Sequence, residues 1–243
     1  MDLKLFFDPI SSDIQVDSLP SSAIAHSMYI NQGQLPELDD RDIAIIGVQE
    51  SRGASEENQK GISVSATEIR KCFYRLKKGS GNLKVVDLGN FRNGPELPDT
   101  YQRLQEVCGY LMENNILPIL IGGSHDLDLG QYQAYENQEK LITVLNIDNK
   151  LDLADPKSAL PTDSHIHKIF KYDPNYLFNY YQLAYQSYLV EAKEAELIEK
   201  LYFEAVRLGV VKENIKELEP IIRDADMLSF DISALQAHYC PGA

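Results

Sequence analysis

The stretch VLNIDNKLDL, residues 144–153, places charged side chains at every second position after a largely apolar run. Asp148, Lys150 and Asp152 are the three charged residues. Because side chains alternate across an extended chain, all three are expected to project to the same side just beyond a buried strand. The sequence therefore predicts two carboxylates and one ammonium group facing one cleft.

Two further apolar runs end in polar residues. LIGGSHD supplies His125, and SFDIS supplies Asp231. If these runs are parallel strands, their carboxyl ends meet at one edge of a sheet. One imidazole with three carboxylates would suit Mn, Mg or Fe(II). The alternative is structural: an Asp after a strand is commonly a turn former or helix cap, and His125 alone is explained equally well as a hydrogen-bonded loop residue.

The elements that must position these residues alternate along the chain. Apolar runs, each followed by a loop and an amphipathic pattern, predict a doubly wound parallel sheet with helices on both faces, a three-layer α/β fold. The first 41 residues are polar and predict an extended lead-in, followed by one domain over residues 42–243. The predicted strands are at 43–48, 83–90, 116–123, 141–148, 180–190 and 227–233, and the predicted helices are at 65–78, 100–115, 127–137, 191–208 and 212–224.

Composition narrows the class of protein. The 243 residues include 23 Lys and Arg against 37 Asp and Glu, a net charge of -14, with no basic stripe that would bind nucleic acid. Cys72, Cys108 and Cys240 are far apart and form no CxxC pair, which favours reduced thiols in a cytoplasm. The sequence contains no run of about 18 apolar residues, so it predicts no membrane-spanning helix. We expect a cytoplasmic protein without nucleic-acid or membrane partners.

Three segments together resemble the arginase, agmatinase and formiminoglutamase family. PILIGGSHDLDLG resembles the family's GGDHS segment, VLNIDNKLDL its DAHxD strand end, and LSFDISALQAHYCPGA its SFDxDxxDPxxxPG segment. IAIIGV and TEIRKCFYRL are also similar to the family's first strand and helix. The resemblance, nearest to formiminoglutamase, implies an arginase-like fold and cleavage of amidine C–N bonds at a two-manganese site, where the metals acidify the attacking water.

Carried over to this chain, the resemblance implies ligands for one metal and an altered site for the second. The family's second site also uses the middle His of DAHxD and the second Asp of SFDxD, where this chain has Lys150 and Ser233. A charged ammonium cannot ligate a metal, so we expect Lys150 to replace the metal's charge by pairing with Asp148 and Asp231. At most one Mn ion is expected, or none. The implied ligands of the first metal are His125, Asp148, Asp152 and Asp231.

Other departures from the family bear on activity. Ser124 stands where GGDHS has an Asp that supports the ligands. His165 and His167 lie in the loop where relatives contact substrate, and could shuttle protons or could be merely exposed. The chain stops at CPGA although family members continue for several tens of residues.

Two functions follow from the resemblance. One is a divergent hydrolase acting on a small guanidino or formimino amino acid. The other is an inactive relative that keeps the scaffold for binding or assembly. In either case, we expect a homo-oligomer.

Overall fold

The computed structural model of the chain describes residues 1–236 and divides it into two compact units, residues 1–134 and residues 135–243. Each unit combines strands that pair mainly in parallel with helices that connect them. Cys240 lies outside the described residues.

The first unit contains a sheet in the order β1-β4-β3-β5, with β2 also paired to β4. Every pairing is parallel except that of β1 with β4. Its elements are β1 (Phe7–Asp8), β2 (Tyr29–Ile30), β3 (Ile43–Gly47), α1 (Glu56–Phe73), β4 (Val85–Phe91), α2 (Leu97–Glu113), β5 (Leu117–Ile121) and α3 (Asp128–Gln133).

The first 41 residues contribute two of these strands and several short turns of 3-10 helix. A small set of apolar side chains fixes the segment: Ile10, Ile14, Val16 and Ala25 are buried in one cluster with Tyr74 at the end of α1. Burial of these residues, at about 25 cal/mol per Å² of apolar surface, stabilises the segment against β4 and α1.

Helix α1 is attached to the sheet by a buried ion pair. The Arg70 guanidinium donates hydrogen bonds of 2.9 and 2.7 Å to the two oxygens of Asp87 on β4. Both side chains are 0% exposed. The hydroxyl of Tyr74 donates to the same carboxylate, and Gly47 leaves room for the guanidinium, since a Cβ there would lie 2.3 Å from it. The bidentate geometry fixes the orientation of the helix.

The second unit contains a fully parallel sheet in the order β8-β7-β6-β9. Leu145, Leu183 and Leu218 form a buried cluster in this unit. The elements are β6 (Ile142–Ile147), α4 (His165–Phe170), β7 (Leu177–Tyr185), α5 (Ala192–Lys200), β8 (Glu204–Arg207), α6 (Leu208–Glu213), α7 (Glu219–Asp224) and β9 (Met227–Phe230).

One predicted helix is wrong in its second half. The pattern over residues 191–208 predicts a single helix, but α5 ends at Lys200 and β8 follows as an edge strand against β7. The short sequence EAVR fits a helical period as well as a strand, and pairing with β7 decides between them. Among the described residues, no helix is both long enough and apolar enough to span a membrane.

Candidate functional site

The ends of β6 and β9 bring two of the predicted carboxylates together. Ile147 pairs with Phe230 in the parallel register, and the backbone N–H of Asp231 donates to the Ile147 carbonyl over 3.0 Å. Asp148 and Asp231 are the next residues on the two strands. Their carboxylates have oxygens within 4.8 Å of each other, which is close enough for both to contact one cation.

Hydrogen bonds hold one oxygen of each of these carboxylates. The hydroxyl of Ser233 and the backbone N–H of Lys150 both donate to Asp148 Oδ1, each over 3.0 Å. The backbone N–H of Ser233 donates to Asp231 Oδ1 over 2.7 Å. Ser233, where the family has a ligand, thus orients the Asp148 carboxylate in this chain.

The structure corrects the expected partner of Lys150. Its ammonium lies 3.1 Å from Asp163 Oδ1 and is about half exposed, so it does not form the expected pairs with Asp148 and Asp231. Partial burial alone would lower the pKa of Lys150. The hydrogen bond and charge of Asp163, together with attraction by Asp152 and Asp148, outweigh it and raise that pKa. The residue therefore remains a cation beside the carboxylates, because a neighbouring negative charge favours its charged form.

Asp152 and His165 form a second close pair in this unit. They are 6% and 0% exposed, and His165 Nδ1 lies 3.9 Å from Asp152 Oδ2 and 2.9 Å from the Thr162 carbonyl oxygen. Asp152 has a φ of +50°, in the left-handed region that Asp tolerates better than most residues. This conformation turns the chain directly after Leu151 and places the carboxylate in the interior.

The two histidines proposed as substrate contacts face different surroundings. His165 is buried beside Asp152, whereas His167 is partly exposed, with Nδ1 3.2 Å from the carbonyl oxygen of Leu153, and lines a separate cleft. Residues two apart on α4 lie about 200° apart around the helix. The described contacts give them no shared partner.

Two side-chain amides that the sequence did not single out, one buried and one partly exposed, hold the loop after β6. Gln182 on β7 is fully buried and donates to the carbonyl oxygens of Asp148 and Lys150 over 3.2 and 2.9 Å. Asn149 donates to the carbonyl oxygen of Ser233 over 3.2 Å. An amide within a strand offers no motif, although its polarity in an otherwise apolar run is the signal that could have identified Gln182.

The predicted histidine ligand lies in the first unit, in a short 3-10 turn after β5. His125 Nε2 is 3.3 Å from Asp128 Oδ2 at the start of α3. A carboxylate at one ring nitrogen fixes the orientation of an imidazole and leaves the other nitrogen to bind a metal. The adjacent Asp126 is buried and accepts a hydrogen bond from the hydroxyl of Tyr101. These contacts give Asp126 a structural role.

A second buried carboxylate, Glu50, follows β3 in the same unit. Arg52 donates to it from its side chain and its backbone N–H, and Thr100 from its hydroxyl. Burial acts to raise the pKa of Glu50, but these hydrogen bonds and the charge of Arg52 outweigh it and hold the pKa below 4.5. Sequence reasoning did not identify Glu50, because it stands in a polar Gly loop where acidic residues are usually exposed.

Two carboxylates in the second unit, those of Asp148 and Asp231, have the chemistry of ligands for a hard divalent cation. They follow two neighbouring strands and their oxygens lie close together, whereas the third predicted carboxylate ligand, Asp152, lies beside His165. Buried carboxylates cost free energy unless they are paired or coordinate a metal. Oxygen ligands of this kind are those that Mn and Mg prefer.

Comparison with known proteins places the chain in a family. The family model described as the arginase family matches residues 41–243. A formimidoylglutamase from Staphylococcus carnosus is 26% identical over 190 residues, covering 74% of this chain and 57% of that protein. An arginase from Staphylococcus aureus is 28% identical over 142 residues, 51% of this chain and 46% of that protein. The chain thus spans about half the length of these relatives.

Solved structures share the fold. Formiminoglutamase from Trypanosoma cruzi with Mn²⁺ has a TM-score of 0.73 at 20% identity, covering 84% of this chain and 74% of that one. Formimidoylglutamase from Bacillus subtilis has a TM-score of 0.73 at 17% identity, covering 85% and 70%. The predicted arginase-like α/β fold is confirmed. With the family match over most of its length, the chain belongs to the arginase family.

Proposed function

We propose that this protein is a metal-dependent hydrolase of a linear amidine, with formiminoglutamate as the first substrate to test. The observation that carries the proposal is the pair of carboxylates on Asp148 and Asp231, with oxygens within 4.8 Å at the ends of two paired strands. The names of the curated relatives, formimidoylglutamase and arginase, supply the substrate class.

In this proposal, His125, Asp148, Asp152 and Asp231 would hold one Mn ion. A bound divalent cation supplies an acidified water and a Lewis acid for attack on the amidine carbon. The chain's own residues orient the ligands: Ser233 donates to Asp148, Asp128 lies against the His125 ring, and the His165 ring lies next to Asp152. Such supporting contacts commonly change metal affinity by about 10- to 100-fold when removed.

A second candidate is an inactive relative that binds or assembles without turnover. One observation favours it. The two residues at the positions expected to bind only the second metal make other contacts: Lys150 pairs with Asp163, and Ser233 donates to Asp148. A site with one cation activates water less strongly than a two-metal site.

Turnover distinguishes the two candidates. Formamide or urea release would be measured from formiminoglutamate, arginine and agmatine with Mn-loaded protein. We expect release from formiminoglutamate that Asp231→Asn abolishes and that Asp155→Asn, an exposed carboxylate outside the ligand set, leaves intact. Loaded protein without turnover of any of the three would reject the hydrolase and support the binding protein.

We also place the protein in the cytoplasm, without nucleic-acid partners. Its net charge of -14 opposes binding to phosphates. Cys72 and Cys108 are free thiols in the structure. Burial raises the pKa of Cys108 to about 12, so this thiol stays protonated and unreactive at neutral pH.

A further inference from the structure

An open cleft of about 380 Å³ in the second unit collects lysine side chains. One wall is the loop after β6, which contributes Lys157. The other wall is the end of α4 and the residues after it, which contribute Lys168 and Lys171. We call it the lysine cleft, defined by these three residues. It contains none of the ligands assigned to the metal.

The positive charge of the lysine cleft is not neutralised by ion pairs. Among residues 1–236, none of its three ammonium groups has a carboxylate within ion-pair distance, although the chain carries 37 acidic residues against 23 basic ones. Asp155 and Asp173 also line the cleft. One Asp155 oxygen accepts the backbone N–H of Lys157 over 3.0 Å, which orients the carboxylate toward the backbone of the loop.

The end of helix α4 explains only part of this arrangement. Cations near the last carbonyls of a helix are stabilised by its dipole, which accounts for Lys168 and Lys171. Lys157 belongs to a different segment and gains nothing from that helix. The cleft therefore holds three ammonium groups against the two carboxylates of Asp155 and Asp173, a net positive lining that would attract an anion.

Two further polar side chains line the cleft, and each is held by a hydrogen bond to a residue outside it. His167 has Nδ1 3.2 Å from the Leu153 carbonyl oxygen, which holds the ring across the cleft wall. Tyr172 lines the same cleft, and its hydroxyl donates to Glu136 over 2.8 Å. Lysine binds phosphate and carboxylate oxygens as a point charge, so the number of charges, more than a fixed geometry, sets the class of ligand.

We propose that the lysine cleft binds a small multivalent oxyanion, a molecule with two or more negative charges on phosphate or carboxylate oxygens. The rest of this acidic protein repels such a molecule, which makes the cleft its favoured contact. The cleft volume of about 380 Å³ suits a small metabolite.

Calorimetric titration with pyrophosphate and with citrate tests the proposal and distinguishes the two sources of charge. Ionic strength is held constant with chloride, and no divalent metal is added because both anions chelate metals. We expect at least one anion to bind to the wild-type chain. Lys168→Ala with Lys171→Ala should weaken that binding by at least about tenfold, because two ammonium contacts are lost.

Lys212→Ala with Lys216→Ala is the matched control, since it removes the same charge from two exposed positions outside the cleft. We expect it to bind as the wild type does. Binding of neither anion, or equal weakening in both double variants, would overturn the proposal. Asp231→Asn should bind the anion normally, so failure of the proposed hydrolase and failure of this site are separable.

Discussion

Lys150 and Ser233 stand at the two positions where the resemblance to the family predicts ligands of a second metal, and each has a distinct set of contacts. Lys150 pairs with Asp163 and remains charged, while Ser233 donates its hydroxyl to Asp148. That the second site is altered stays a prediction from the residue types. The partner of Lys150 was not predictable, because a four-carbon stem reaches several carboxylates and only the folded loop selects among them.

Restoring both donors should restore a second site. Lys150→His with Ser233→Asp removes an ammonium and adds an imidazole and a carboxylate beside Asp148 and Asp231. We expect Mn bound per chain, measured by elemental analysis after dialysis, to rise from about one toward two. Lys150→Ala with Ser233→Ala is the control, since it removes the same side chains without adding donors. An unchanged Mn content in the first variant would contradict the assigned positions.

Glu50 gives a pH-dependent contribution to stability. Its pKa lies below the ordinary glutamate value of 4.5, so the stabilisation is present above pH 4.5 and is lost as pH falls through the folded-state pKa. Glu50→Gln should cost about 2 kcal/mol at neutral pH, since hydrogen bonds to a buried charge are removed. In urea unfolding from about pH 6 to about pH 3.5, the gap between wild type and variant should narrow. A gap that widens toward acid pH would contradict the assigned shift.

Among the secondary-structure elements, the apolar strands were easier to predict than the very short strands and the strand of mixed polarity. Five apolar runs were correctly identified as β3, β4, β5, β6 and β9, because an apolar run between turn residues has few alternatives. β8 was missed, since four residues of mixed polarity become a strand only by pairing with β7. The two-residue strands β1 and β2 depend in the same way on β4.

The attachment of α1 to the sheet depends on one arginine. Arg70→Met leaves the carboxylate of Asp87 buried without its cation, which should lower the free energy of unfolding by about 3 to 5 kcal/mol. The adjacent Lys71→Met breaks only an exposed ion pair with Glu68, so it should change the free energy of unfolding by less than about 1 kcal/mol. Equal effects of the two substitutions in denaturant unfolding would show that the buried pair does not anchor the helix.

Strand β7 supports the loop after β6 through Gln182. Gln182→Leu keeps a side chain of similar size and removes the two hydrogen bonds to the carbonyl oxygens of Asp148 and Lys150, together with the two that the Gln182 amide oxygen accepts from Asn146 and Tyr180. We expect Mn affinity to fall by about 10- to 100-fold while far-UV circular dichroism stays unchanged. Gln186→Leu, at a partly exposed position just beyond β7, should retain wild-type affinity. Unchanged affinity in Gln182→Leu would remove this residue from the account.

For the molecule as a whole, family membership followed from three separated segments more than from any single residue. The order of the His125, Asp148 and Asp231 clusters identified the arginase family before any geometry was considered. The hydrogen bonds of Gln182 and Asn149 were not predictable. They join segments distant in sequence, as does the bond from Thr100 to Glu50, and no local pattern specifies such partners.

The proposed manganese site joins His125 with Asp148, Asp152 and Asp231. It is tested by the Mn content of the purified chain after loading and dialysis, determined by elemental analysis. We expect about one ion per chain, lost in Asp148→Asn and in His125→Ala and retained in Asp155→Asn. Two ions per chain, no bound ion, or a single ion that survives Asp148→Asn would contradict it.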